Sequence, residues 1–175
     1  MTNKGIELSG YIRSIPDWPK KGILFRDITP LLADPSAFAA AIDALCADFT
    51  EAGIEYVAAV EARGFIFGAA VARRLGAGFI PIRKKGKLPF KTESVSYDLE
   101  YGTDTLEVHS DAIEGKAKVL MVDDLLATGG TMAAACNLIE KIGGQVACIT
   151  FLIELGELAG RDKLAGYNVK TVISY

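Results

Sequence analysis

The amino-acid sequence predicts an α/β domain built on a mainly parallel central sheet flanked by helices. Short continuous apolar runs recur along the chain, helical periodicities fall between them, and glycines stand where helices should stop. Ile6, Tyr11, Ile12 and Ile15 recur at near-helical spacing up to Pro16, which predicts a short amphipathic helix, and residues 17–30 read as an irregular segment. Asp34 followed by Pro35 has the form of an N-cap with proline in the first turn. The alanine-rich stretch up to Ala52 then ends at Gly53, so a helix is expected between them. Residues 56–60 read as a buried strand, 64–75 as a helix closed by Gly76, and 79–82 as a second buried strand. Residues 84–92 are polar and basic and contain Gly86 and Pro89, the marks of a loop. Residues 105–109 alternate like a half-exposed strand, whereas 118–122 are apolar after Lys118, as a central parallel strand requires. A turn, a helix over 131–142 stopped by Gly143 and Gly144, a strand over 146–153 and a last strand over 169–174 complete the series.

At 175 residues the chain is expected to form one domain. Its formal net charge of -3 repels polyanions, so any phosphate must be held by local groups. No stretch approaches the roughly 18 apolar residues of a membrane span, and the N-terminal segment lacks the apolar run of a signal peptide. A soluble, cytoplasmic protein is therefore expected. Cys46, Cys136 and Cys148 are scattered, form no CxxC pair and read as buried thiols.

The densest chemistry lies in residues 118–131, Lys-Val-Leu-Met-Val-Asp-Asp-Leu-Leu-Ala-Thr-Gly-Gly-Thr. A buried strand ends in two carboxylates, and a small-residue turn then opens a helix. Ligands of open α/β sheets sit beyond the carboxyl ends of strands, where free N–H groups of a turn and a helix N-terminus favour an anion. Ala127, Thr128, Gly129, Gly130 and Thr131 are thus expected to cradle a phosphate, the glycines by close backbone approach and the threonines by adding hydroxyl donors. Asp123 and Asp124 only accept hydrogen bonds when ionised, which suits the two donors of a ribose diol. An isolated acidic pair could instead cap the next helix or bind a cation, but the attached turn favours the diol. Neither a Walker A lysine nor a GxGxxG fingerprint is present here.

The stretch Val-Asp-Asp-Leu-Leu-Ala-Thr-Gly-Gly-Thr-Met at 122–132 resembles the 5-phosphoribosyl 1-pyrophosphate motif of type I phosphoribosyltransferases, in the wording of their adenine-specific branch. Four further stretches resemble that branch in order: Phe-Arg-Asp-Ile-Thr-Pro at 25–30, Ala-Arg-Gly-Phe-Ile-Phe-Gly at 62–68, Arg-Lys-Lys-Gly-Lys-Leu-Pro at 83–89 and Ser-Tyr-Asp-Leu-Glu-Tyr-Gly at 96–102. The similarity runs from about Ile15 to about Arg161.

The resemblance implies a type I phosphoribosyltransferase fold with a small N-terminal hood, about residues 1–34, a core of about 35–175 and a flexible catalytic loop. It implies purine salvage, the Mg²⁺-dependent transfer of a phosphoribosyl group to adenine that yields AMP and pyrophosphate. Arg63 is carried over as a pyrophosphate ligand, as are Lys84 and Lys87, with Arg83 reaching pyrophosphate or a partner subunit's site. Leu24, Phe25 and Arg26 are carried over to adenine, with Phe25 and Leu125 as the two faces of a purine sandwich. Glu100 is the candidate acid acting near N7 and Tyr101 a lid residue. Residues 90–95 match the family pattern poorly, and His109 has no matching motif. Mg²⁺ is expected to bind mainly through substrate oxygens, with no direct protein ligand assigned. A homodimer is implied, and neither nucleic acid nor membrane is expected as a partner. Other bases, hypoxanthine, guanine, xanthine or a pyrimidine, share the sugar motif. A nucleic-acid-binding sensor of the same substrate would need a basic segment, which the sequence lacks.

Overall fold

A computed structural model describes residues 5–98 and 102–175. The chain divides into two compact units, one ending at Ala44 and the other running over Leu45–Tyr175.

The first unit opens with a 3-10 turn at Leu8–Tyr11 and an antiparallel hairpin of β1 (Arg13–Pro16) and β2 (Leu24–Asp27). The expected amphipathic helix before Pro16 is therefore a turn and a strand. Its apolar spacing serves a hairpin because residues 13–16 find a partner strand within the segment that reads as irregular, with Ile15 opposite Phe25. Asp17 accepts from the Gly22 N–H at 2.7 Å and closes the hairpin's loop. Beyond β2, Asp27 accepts from both the N–H and the hydroxyl of Thr29, at 2.9 and 2.8 Å, and so opens the short helix α1 (Thr29–Ala33). Asp34 caps α2 (Pro35–Cys46) through the N–H groups of Ser36 and Ala37. That helix is shorter than its alanine-rich sequence suggests. Tight turns at 46–52, with Phe49 N–H to Cys46 O at 2.9 Å, close it before Gly53.

The second unit holds a seven-stranded sheet in the order β5-β6-β4-β3-β7-β8-β9. β3 (Tyr56–Val60), β4 (Gly78–Lys84), β7 (Ala117–Leu126), β8 (Gly144–Glu154) and β9 (Val169–Ser174) run parallel, while β5 (Thr92–Asp98) and β6 (Thr103–His109) add an antiparallel edge. The mainly parallel sheet expected from sequence is thus observed. Two helices complete the strand-helix-strand units: α3 (Arg63–Leu75) follows β3, and α4 (Gly130–Lys141) follows β7. Gly76, at φ 71°, ends α3 in the left-handed conformation that glycine adopts without a Cβ penalty. Val57, Leu120, Met121, Ile149 and Leu152 are wholly buried, as central parallel strands require.

Two strands depart from expectation. β7 runs on to Leu126, because β8 continues beside it and pairs Leu125 with Ile153 and Leu126 with Glu154. Asp123 and Asp124 therefore stand within a strand, not after it. β5 occupies a stretch too polar to read as a strand, and its backbone is held by seven pairings with β6.

All three cysteines are free and buried, and burial pushes the Cys136 thiol up to about 12. Helix α3 approaches the sheet closely at Gly68, where a Cβ would lie 2.6 Å from the Ala59 Cβ and 2.9 Å from the Phe79 ring. Gly68→Ala is accordingly expected to cost about 1–3 kcal/mol through overpacking. A thermal melt should then fall by roughly 2–4 °C for each of those kcal/mol. An unshifted midpoint would show that the helix moves away without penalty.

Candidate functional site

β3 and β7 are parallel neighbours, yet the chain leaves them in opposite directions, from β3 through α3 to β4 and from β7 through α4 to β8. The sheet's order therefore switches between them, and the crevice beyond their carboxyl ends is where an open α/β sheet receives a ligand. A cleft of about 220 Å³ lies there, lined by residues 60–64 and 123–132 together with Phe151. Two helices open onto it, α3 behind Ala62 and α4 behind Gly129, and neither N-terminus is closed by a side-chain cap. Their first N–H groups are available to an anion, and both helix dipoles favour one. Gly129 adopts φ 78°, so the turn changes direction at a residue without a Cβ.

The paired carboxylates form the floor. Arg63 lies 2.6 Å from Asp124 Oδ2, an ion pair across the cleft between α3 and β7. Asp123 accepts from the Asp124 N–H at 2.9 Å. The start of α3 passes so close that a Cβ on Gly64 would stand 2.7 Å from Asp123 Oδ1. Gly64 is thus the residue that lets the helix sit over this carboxylate. Burial, reinforced by the charge of Asp124, pushes the Asp123 carboxyl well above the usual carboxylate range. Burial also raises Asp124, against the opposing pull of the Arg63 guanidinium.

A second carboxylate organises the basic segment. Glu61, joined to Ala62 by a cis peptide bond, follows β3 at the cleft with its side chain 8% exposed. Arg83 donates to Glu61 Oε2 from Nε and Nη2, at 3.1 and 3.0 Å, while Lys87 Nζ lies 3.0 Å from Oε1. The Lys84 N–H donates to the same Oε1 at 2.7 Å, and Arg83 Nη1 donates to Lys87 O at 3.1 Å. Burial alone would raise the Glu61 carboxyl, but the Lys84 N–H with the Lys87 and Arg83 side chains outweighs it and leaves the group below its ordinary value. Lys84 Nζ pairs with Asp104 at 2.9 Å, which raises the lysine and lowers the aspartate.

Of the residues singled out from sequence, Arg63, Asp123, Asp124, Leu125, Ala127, Thr128, Gly129, Gly130 and Thr131 line one cleft. Arg83, Lys84 and Lys87 do not line it and are linked to it through Glu61. Leu24, Phe25 and Arg26 belong to the first unit. Leu24 is exposed, Phe25 meets Trp18 edge-on with centroids 4.4 Å apart, and Arg26 donates to Ser14 at 2.6 Å. Glu100 and Tyr101 lie outside the described residues. Four residues that matter to this geometry went unassigned in the sequence. Glu61 and Asp104 gather the cations, and Tyr97 receives the Thr131 hydroxyl at 3.3 Å. Gly160 packs its backbone on the turn at 127–129. Only Glu61 and Tyr97 carried a signal, since both stand inside or beside quoted motifs.

Comparison with known proteins bears on the family and the fold. The family described as phosphoribosyl transferase domain matches residues 32–173. The adenine phosphoribosyltransferase of Thermotoga neapolitana is 54% identical over 170 residues, covering 97% of this chain and 100% of that one. The crystal structure of adenine phosphoribosyltransferase from Thermoanaerobacter pseudethanolicus matches with a TM-score of 0.92 at 53% identity, over 97% of this chain and 98% of that one. That from Saccharomyces cerevisiae, complexed with an imino-altritol bisphosphate and adenine, matches with a TM-score of 0.90 at 40% identity, over 95% of this chain and 96% of that one. By sequence and by fold, the chain belongs to the adenine phosphoribosyltransferase family, within the type I phosphoribosyltransferases.

Proposed function

We propose that this chain transfers the 5-phosphoribosyl group of 5-phosphoribosyl 1-pyrophosphate (PRPP) to N9 of adenine, giving AMP and pyrophosphate in purine salvage. The observation that carries the reading is the cleft at the β3–β7 switch, where paired carboxylates precede an uncapped, glycine-bearing helix N-terminus. A sugar phosphate matches that sequence of groups from hydroxyls to phosphate. Asp123 and Asp124 accept from the ribose 2′- and 3′-hydroxyls, and Ala127, Thr128, Gly129, Gly130 and Thr131 receive the 5′-phosphate. Arg63, Arg83, Lys84 and Lys87 receive the pyrophosphate. Adenine recognition is assigned, on sequence resemblance, to Leu24, Phe25, Arg26 and Leu125. Glu100, assigned in the same way, hydrogen-bonds near N7, and Tyr101 covers the site. As N9 bonds to C1 with inversion, the C1–O bond breaks, its electron pair leaves with pyrophosphate, and the N9 proton ends on the released pyrophosphate. Positive charge grows at C1 while negative charge grows on the leaving group, so prepositioned charges carry most of the catalysis.

Among the described residues no group of three or more His, Cys, Asp or Glu side chains is arranged to hold a metal ion. An acidic pair with one member engaged by Arg63 suits Mg²⁺ carried on substrate oxygens with its own waters, and no residue of the chain is assigned as its direct ligand. When bound, such an ion neutralises pyrophosphate charge. The chain is further proposed to act as a single domain, as the family match across the division of the two units supports, and as a cytoplasmic homodimer. Among the described residues no helix is long and apolar enough to cross a membrane.

Purified protein given Mg²⁺, PRPP and, in parallel, adenine, hypoxanthine or guanine is expected to form AMP alone. Glu100→Ala should reduce that rate by about 10²-fold or more. IMP or GMP would overturn the base assignment, and PRPP binding without product would favour a sensor. Asp123 generates a separate expectation. A carboxyl raised in the folded chain holds its proton more tightly there, so its stabilising contribution is full at low pH and fades as pH rises through the raised value. Asp123→Asn keeps the acceptor for the Asp124 N–H and removes the buried charge. Its melting temperature at pH 7 should rise by roughly 3 °C or more while PRPP affinity falls. The gain should shrink toward about pH 4, and a gain independent of pH would rule out buried charge as its source.

A further inference from the structure

The phosphate turn is held from a side that the proposed chemistry leaves unused. A Cβ built on Gly129 would stand 2.2 Å from Gly160 O, and one built on Gly160 would stand 2.2 Å from Ala127 O. The turn and the segment carrying Gly160 therefore meet backbone to backbone, with the Leu126 side chain packed beside Gly160, so a shift of one presses directly on the other. The turn's shape thus depends on what fixes Gly160.

The next residue does this. Arg161 donates from Nε to Glu154 Oε1 and from Nη2 to Glu154 Oε2, both at 2.7 Å. Its Nη1 donates to Val169 O at 2.9 Å, and Nη2 also reaches Thr171 Oγ1 at 3.2 Å. Thr171 Oγ1 in turn donates to Glu154 Oε2 at 3.0 Å. Glu154 stands at the end of β8, in register with Leu126 of β7 on one side and Ser174 of β9 on the other. One planar guanidinium thus ties the segment that carries Gly160 to the end of β8, which pairs with the end of β7 before the turn, and to β9 beyond it. The 3-10 segment Gly160–Leu164 is fixed at its other end by Leu164, 1% exposed and packed in the core of the second unit.

We propose that Arg161 is a positioning residue for the 5′-phosphate turn, acting through the Gly160 backbone to hold residues 127–131 in their anion-binding shape. The inference rests on the assignment of that turn to the 5′-phosphate. Arg161 touches no substrate and sets only where the turn's N–H groups stand. A lysine keeps the charge and most of the stem but not the rigid fork, so Arg161→Lys isolates the geometry.

The test is calorimetric titration of AMP and adenosine into the full chain, Arg161→Lys and Glu154→Gln, with thermal melts to identify folded variants. Adenosine lacks the 5′-phosphate, so the ratio of the two affinities reads the turn alone. The unaltered chain is expected to favour AMP strongly. In each folded variant AMP affinity should fall roughly tenfold while adenosine affinity stays within about twofold. Glu154→Gln serves as the test if Arg161→Lys does not fold, because it weakens the same fork from its acceptor side. An AMP-to-adenosine ratio unchanged in the folded variants, even with lowered melting points, would overturn the proposal and make Arg161 a stabilising residue only. A ratio near one in the unaltered chain would instead overturn the assignment of the turn itself.

Discussion

The second unit depends on the parallel pairing of β3 with β7 at the point where the sheet changes direction. Because the two strands are neighbours and their following helices belong to diverging connections, both helix N-termini open onto one crevice. Partial positive charge from each then accumulates without a lysine inside the turn. The glycines follow from the same constraint: Gly64 passes over Asp123, Gly68 over Ala59, and Gly129 against Gly160. Each is a place where backbone or helix must come closer than a side chain allows.

Charge is balanced locally throughout the site. Asp124 and Arg63 form an ion pair, and Glu61 collects Arg83, Lys87 and the Lys84 N–H. Such arrangements follow from burial, because a buried charge without a partner costs far more than an exposed one. Asp123 is the exception. It accepts from the Asp124 N–H, and burial together with the neighbouring charge of Asp124 pushes its carboxyl upward. A half-buried acceptor lining the cleft is where the proposed function places a ribose hydroxyl.

Much of this was legible in the sequence, and the failures have physical causes. β3, α3 and β9 could be read almost to the residue because buried parallel strands and glycine-stopped helices leave strong local patterns. The turn at 127–131 was legible because its small residues follow the apolar run 119–122 and a pair of carboxylates. Ile12 and Ile15 misled, because a spacing of three suits a helix until a partner strand such as Leu24–Asp27 is known. β5 was invisible because an edge strand can be polar on most of its length and is defined by its neighbour. The extension of β7 through Asp123 and Asp124 likewise depends on β8, and a carboxylate pair carries no strand signal of its own. Glu61 as a hub and Gly160 as a buttress arise from contacts 22 or more residues apart in sequence, which no local pattern contains.

The pairing of cations with carboxylates bears on what the cleft will ignore. A free inorganic anion meets an arginine that already has Asp124 and a basic segment that already has Glu61, so it gains only the difference between new and existing contacts. Under the proposed assignment PRPP does more, since it offers oxygens to the cations and hydroxyls to the acidic pair in a single molecule. Every partner that it displaces receives a replacement. Discrimination against cellular phosphate would then come from the completeness of this exchange rather than from the strength of any one contact.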